Sequence, residues 1–238
     1  MTQDTAQAVP GLAAADSLYA RLRAACREDW QAFTNHAFVR RLAEGTLSQA
    51  AFRHYLGQDY LFLIQFARAY ALAVYKSEHL SDMREAASGM AGILDEMGVH
   101  TRLCESWGLS PDELGDLPED PATVANTRYV LERGQAGDIL DLHVALAPCV
   151  IGYAEIGGHL LRDPATNVED NAFAEWITMF AGDDYQDMAR RQVDYLDRLM
   201  QERGGPGRMD SLVQTFRQAT RLEAAVFDAG LAAGQSGG

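Results

Sequence analysis

The sequence predicts an all-α protein, on three observations. Apolar residues recur at helical spacing along almost the whole chain. No stretch sustains the two-residue alternation of a half-buried strand. Cap and stop residues fall between the periodic segments. With 238 residues, 47% of them hydrophobic, the chain can bury a sizeable core as one large domain or two small ones.

The elements follow in order. Residues 1–15 are small and polar and read as a loose tail. Asp16 or Ser17 caps a helix expected to reach about Thr34. Asn35 caps a short one to Glu44, and Gly45 stops it. Ser48 caps the longest, to about Ser77, and another runs from Ser81 to Trp107. Gly108 to Pro121 holds Pro111, Pro118 and Pro121 and reads as a loop, either a domain boundary or a crossover between bundle helices. Helices are expected over 122–133, 138–162, 169–181, 183–203 and 208–230. Gly134 to Gly137, Asp163-Pro164, Gly182 and Gly204-Gly205-Pro206 separate them. Residues 232–238 read as a second loose tail. There is no internal repeat and no glycine-rich phosphate motif, so the expected organisation is one multi-helix bundle domain over 16–231.

Charge narrows the partners. Twenty basic and 34 acidic residues give a net charge of −14. Such a chain repels phosphate backbones and anionic lipid, which argues against nucleic acid and membrane surfaces as partners. No apolar run looks close to the ~18 residues of a membrane span. The first fifteen residues carry Asp4 and no Lys or Arg, unlike a secretory leader. Cys26, Cys104 and Cys149 are odd in number, widely spaced and without a CxxC, which points to a reducing cytoplasm.

The most informative segment is Ala147-Pro148-Cys149-Val150-Ile151-Gly152-Tyr153, inside an apolar helical run. Proline has no N–H to give the carbonyl of Val144 and costs a helix roughly 3 kcal/mol. Cys149 follows it directly, and Tyr153 lies four residues on, so thiol and phenol share a helix face. The same segment also reads as a kinked core helix holding an inert thiol. Two more polar residues sit on apolar faces. Asp59 is in step with Tyr55, Phe62 and Phe66, and Glu223 is in step with Ala219 and Phe227. Each taken alone also fits a solvated or ion-paired helix position.

Together these segments carry a resemblance. Gln58-Asp59-Tyr60, then Ala145-Leu146-Ala147-Pro148-Cys149 with Tyr153 and Gly157, then Glu175-Trp176-Ile177 leading to Phe180, then Leu222-Glu223 with Phe227, resemble the TenA family of thiaminase II enzymes. The match runs from about Ser17 to Gly230. It implies the heme-oxygenase-like all-α fold, a homotetramer, no cofactor and no metal. The implied reaction is hydrolysis of the C–N bond at the exocyclic carbon of a 2-methyl-4-aminopyrimidine. Aminomethylpyrimidine or thiamin would give hydroxymethylpyrimidine, in thiamin salvage. By position, Cys149 is the nucleophile and Glu223 the acid that protonates the ring. Asp59 hydrogen-bonds the aminopyrimidine, while Phe62, Asn126, Tyr153 and Phe180 line the substrate. A thiol of pKa about 8.5 needs help to ionise on an apolar face, and apolar neighbours raise a carboxyl toward neutrality. Asn126 and Phe180 stand where relatives often carry tyrosine, which bears on the leaving amine more than on the reaction type.

Three other readings compete. Glu96 with His100 and Glu155 with His159, joined by Glu105, suggest an iron site of a heme-oxygenase-like oxidase. Ferritin-like sites use three-residue spacing, however, and Glu and His four apart more often form a surface pair. Pyrroloquinoline-quinone synthase shares the fold without needing a Pro-Cys nucleophile. A regulator that binds DNA directly is disfavoured by the charge and by the lack of a helix-turn-helix. Cys26 and Cys104 read as small core fillers.

Overall fold

A computed structural model describes residues 11–236. Among them are eleven helices and no strand. They are α1 Leu18–Ala25, α2 Arg27–Thr34, α3 Ala37–Ala43, α4 Gln49–Lys76, α5 Leu80–Ser106, α6 Pro111–Asp116, α7 Pro121–Ala136, α8 Ile139–Arg162, α9 Ala174–Ala181, α10 Asp183–Arg203 and α11 Arg208–Ser236. Of the two expected tails, residues 1–10 and 237–238 lie outside the described residues. Within the first, Leu12 is buried.

Expected caps hold at two starts, where Ser17 Oγ accepts from the amide of Ala20 at 3.1 Å and Ser48 Oγ from that of Ala51 at 3.2 Å. Elsewhere tertiary packing moves the boundaries. The single helix expected to Thr34 turns at Cys26 and becomes α1 and α2. On a straight helix Tyr19 and Trp30 would stand about 16 Å apart. The turn lets Tyr19 Oη and Trp30 Nε1 both donate to Glu155, each at 2.7 Å. His36, not Asn35, caps α3, its Nδ1 accepting from the amide of Phe38 at 3.2 Å. The proline-rich loop contains α6, which starts on a capping box: Glu113 N–H donates to Ser110 Oγ, and Ser110 N–H to Glu113 Oε2. α7 continues through Gly134, where a Cβ would come within 2.8 Å of Leu142 and 2.9 Å of Leu72. That glycine serves close packing and not a stop. The last expected helix runs on to Ser236, so residues 232–236, assigned to the C-terminal tail from sequence, are helical. A Cβ on Gly234 would meet Ala51 at 2.8 Å, an approach that only glycine allows.

The described parts of Met1–Leu47 and His143–Ala224 form one compact unit, and those of Ser48–Leu142 and Ala225–Gly238 another. The division falls inside α8 and α11. In the first unit Trp30 is the hub, stacked on Phe216 at 5.2 Å and meeting Tyr19 and Phe33 edge-on. In the second, the ring of Phe52 lies 4.7 Å from Trp107 and that of Tyr55 5.8 Å from Phe227. α8 corrects one expectation. It is long and apolar enough to cross a membrane by length and composition, at a mean hydropathy of 1.5, and 94% of that stretch is buried inside the protein.

Candidate active site

Four of the seven expected site residues belong to the first unit. Cys149 and Tyr153 lie one turn apart on α8, which stays helical through Pro148. Cys149 is half-buried and Tyr153 buried. The Tyr153 ring sits 4.8 Å from Phe180, 5.9 Å from Trp176 and 6.0 Å from Phe33. Phe180 in turn meets Tyr185 edge-on at 4.8 Å. Two glycines make this wall possible. A Cβ on Gly157 would stand 2.5 Å from the backbone carbon of Phe180, so glycine is what lets α9 settle on α8. A Cβ on Gly152 would run into the Phe33 ring. The structure thus brings Tyr153 and Phe180 together, and adds Phe33 and Trp176 beside them. Trp176 stood in the Glu175-Trp176-Ile177 segment of the sequence, and the mark left by Phe33 is Gly152, which clears its ring.

Glu223, the expected acid, is buried on α11, as are Ala219 and Phe227 of the same stripe. Glu155, two residues beyond Tyr153, is not the surface partner of His159 that its spacing suggested. It is fully buried and takes hydrogen bonds from Tyr19 and Trp30, with Arg23 Nε at 3.0 Å. Two neutral donors and a guanidinium thus engage both oxygens of this carboxylate. Burial first, and the Glu155 charge second, hold the Tyr19 phenol well above its ordinary range.

Asp59, Phe62 and Asn126 belong to the second unit. Asp59 has a partner: its Oδ2 lies 3.5 Å from Nδ1 of His100, while its side chain keeps 17% exposure against 3% for the histidine. His100 Nε2 is 3.1 Å from the carbonyl oxygen of Leu56, and Cys104 Sγ is 3.8 Å from the same oxygen. Burial pushes the Asp59 carboxyl up from its usual range, and the nearby His100 pulls it part of the way back. Burial, then the Asp59 charge, pushes the Cys104 thiol up to about 12. Phe62 stacks on Phe66 at 5.1 Å. Asn126 is completely buried on α7.

Gln58, next to Asp59, turns the other way and fastens the start of α7. Its Oε1 accepts from the amide of Asp120 and from Thr123 Oγ1, both at 2.8 Å, and its Nε2 donates to the Pro118 carbonyl at 3.0 Å. Asn126 follows Thr123 by three residues, on the same face. Cys26 and Cys104 are buried thiols, as expected of core fillers.

Residues 23–233 match the model of the TENA/THI-4/PQQC family. Among curated relatives, an uncharacterized protein of Haemophilus influenzae is 35% identical over 202 residues, covering 85% of this chain and 93% of that one. An aminopyrimidine aminohydrolase of Halalkalibacterium halodurans is 32% identical over 201 residues, covering 84% and 88%. Among solved structures, a TenA family transcription regulator from Silicibacter sp. superposes with a TM-score of 0.84 at 43% identity, over 90% of this chain and 96% of its own. A domain of unknown function from Shewanella denitrificans, described as having a heme oxygenase-like fold, superposes with a TM-score of 0.70 at 13% identity, over 89% and 91%. The fold is therefore heme-oxygenase-like, as the resemblance implied.

Proposed function

The chain belongs to the TENA/THI-4/PQQC family, and from that premise we propose that it is a thiaminase II-type enzyme, an aminopyrimidine aminohydrolase of thiamin salvage. The observation that carries this reading is the 32% identity to the Halalkalibacterium aminopyrimidine aminohydrolase over most of both chains. The residues support it. A half-buried thiol sits one turn from a tyrosine in an aromatic wall. A buried glutamate and a partly exposed aspartate carry the acid chemistry.

In the proposed sequence of steps, the Cys149 thiolate adds to the electron-poor ring and Glu223 protonates the ring nitrogen that gains electron density. The exocyclic C–N bond then breaks and the amine departs. Water adds at that carbon, its proton is taken up, and the thiolate is expelled as the ring is restored. Aminomethylpyrimidine plus water thus becomes hydroxymethylpyrimidine plus ammonia. Asp59 accepts a hydrogen bond from the amino group. Phe62, Asn126, Tyr153 and Phe180 contact the substrate. In the same reading residues 16–231 act as one domain, in a cytoplasmic homotetramer.

Mass spectrometry of ammonia and hydroxymethylpyrimidine release tests the reading across thiamin, aminomethylpyrimidine and formylaminomethylpyrimidine. Cys149→Ser is expected to lose turnover by about 10³-fold or more while keeping wild-type helicity, because the nucleophile is removed and little packing changes. Wild-type rates in that variant would rule out the cysteine mechanism. The Silicibacter relative is described as a transcription regulator. A net charge of −14 disfavours direct DNA binding by this chain, and an electrophoretic shift assay separates the two classes.

A further inference from the structure

Resting on the reading of Asp59 as the group that meets the aminopyrimidine, we infer that His100 is a positioning residue that sets specificity. It holds the proton that keeps Asp59 a hydrogen-bond acceptor, and so selects a 4-amino over a 4-oxo pyrimidine.

The geometry fixes the protons. The carbonyl of Leu56 can only accept, so His100 Nε2, 3.1 Å away, carries a hydrogen. Nδ1 then faces Asp59 Oδ2 at 3.5 Å. With no proton between them, two lone pairs oppose each other in a buried place. With a proton on each, a buried cation faces a second hydrogen. A proton on Nδ1, at ion-pair distance from an ionised carboxylate, satisfies the pair. His100, at 3% exposure, is out of a ligand's reach, whereas Asp59 is not. The histidine therefore acts through the aspartate. When the proton resides on His100, both oxygens of Asp59 accept, and a 4-amino group donates to one of them. A 4-oxo group would put oxygen against oxygen. When His100 cannot supply that proton, Asp59 takes up one of its own on the outward oxygen, donates where it had accepted, and the discrimination weakens.

The other ionisable groups of this unit leave that role to His100. On α5, Cys104 is a neutral thiol, its pKa pushed up to about 12. At the start of α7, Asp120 closes on His54 at 2.5 Å. Arg128 is paired with Glu119, and Arg133 with Asp141 on α8. The charge whose field reaches Asp59 is that of His100, and it opposes the upward push of burial.

The test uses the full chain and the variants His100→Asn and His100→Gln, both checked for wild-type helicity by circular dichroism. Calorimetry measures dissociation constants for hydroxymethylpyrimidine and its 4-oxo counterpart between pH 6 and 9. The expected result is a loss of about tenfold in 4-amino preference at the low end of that range, shrinking toward wild type as pH rises, because burial pushes the Asp59 carboxyl up and His100 no longer opposes it. An unchanged preference, or a loss that does not depend on pH, overturns the inference. A second measurement needs no ligand. The carboxyl carbon of Asp59, followed by NMR, should titrate at higher pH in both variants, and an unmoved midpoint also overturns it. A wild type that binds neither pyrimidine while the midpoint still moves would overturn the substrate reading and the selectivity with it. The proton-holding role would then stand on the midpoint alone, so the two failures are distinguishable.

Discussion

Glu155 and Asp59 are both carboxylates withdrawn from bulk water, one in each compact unit, and they are held in opposite ways. Glu155 is fully buried and saturated: two neutral donors at 2.7 Å and a guanidinium at 3.0 Å use its lone pairs. Asp59 has one histidine at 3.5 Å and keeps 17% of its side chain in solvent. A saturated buried charge can only tie elements together, here α1 and α2 to α8. A carboxylate with one partner and an open side still has hydrogen-bonding capacity for something that arrives later. Their exposure differs modestly. The count of donors separates the two.

The contrast can be broken most decisively at Glu155. Glu155→Ala removes the acceptor of the buried Tyr19 and Trp30 donors and the ion-pair partner of half-buried Arg23, so a loss of about 3–5 kcal/mol is expected in denaturant unfolding. A loss under about 1 kcal/mol would show that the network holds nothing. Tyr19→Phe removes one donor and keeps the shape. Hydrogen bonds to charged groups are worth about 1.5–3 kcal/mol, and that is the expected cost. The smallest effect, of opposite sign, is expected at Asp59. Burial raises its folded-state pKa above the unfolded value of about 3.9, so the folded protein binds this proton more tightly. Ionised Asp59 therefore costs stability above its folded pKa, and that cost fades as pH falls through it. Asp59→Asn should melt slightly higher than wild type at pH 7, with the difference gone below about pH 4. A lower melting temperature at pH 7 would place Asp59 with Glu155 as a structural anchor.

The all-α class was legible in the sequence because helical periodicity is a local property, and so were the Ser17 and Ser48 caps. The capping box at Ser110 and Glu113 was equally legible, but three prolines nearby outweighed it. The turn at Cys26 was not legible. Its cause is a carboxylate some 130 residues away on α8, and no local pattern records that. The same limit governed the site. Asp59, Cys149 and Glu223 stood out as polar residues on apolar faces. The partner of Asp59 was visible only as a histidine four residues from Glu96, which suggested iron. Its actual engagement, with Leu56 and Asp59, joins α5 to α4 through tertiary contact. Gly152 and Gly157 were visible as residues but not as the clearances that admit Phe33 and Phe180.

Gln58 has a consequence for anyone who sets out to retune substrate range. Because three hydrogen bonds lash Pro118 to Thr123 down, the backbone beneath Asn126 is moored one turn away. A mutant library confined to position 126 would then report a change of functional group on a stationary platform. Randomising Thr123 or Gln58 alongside it would cast that platform adrift and blur the two effects.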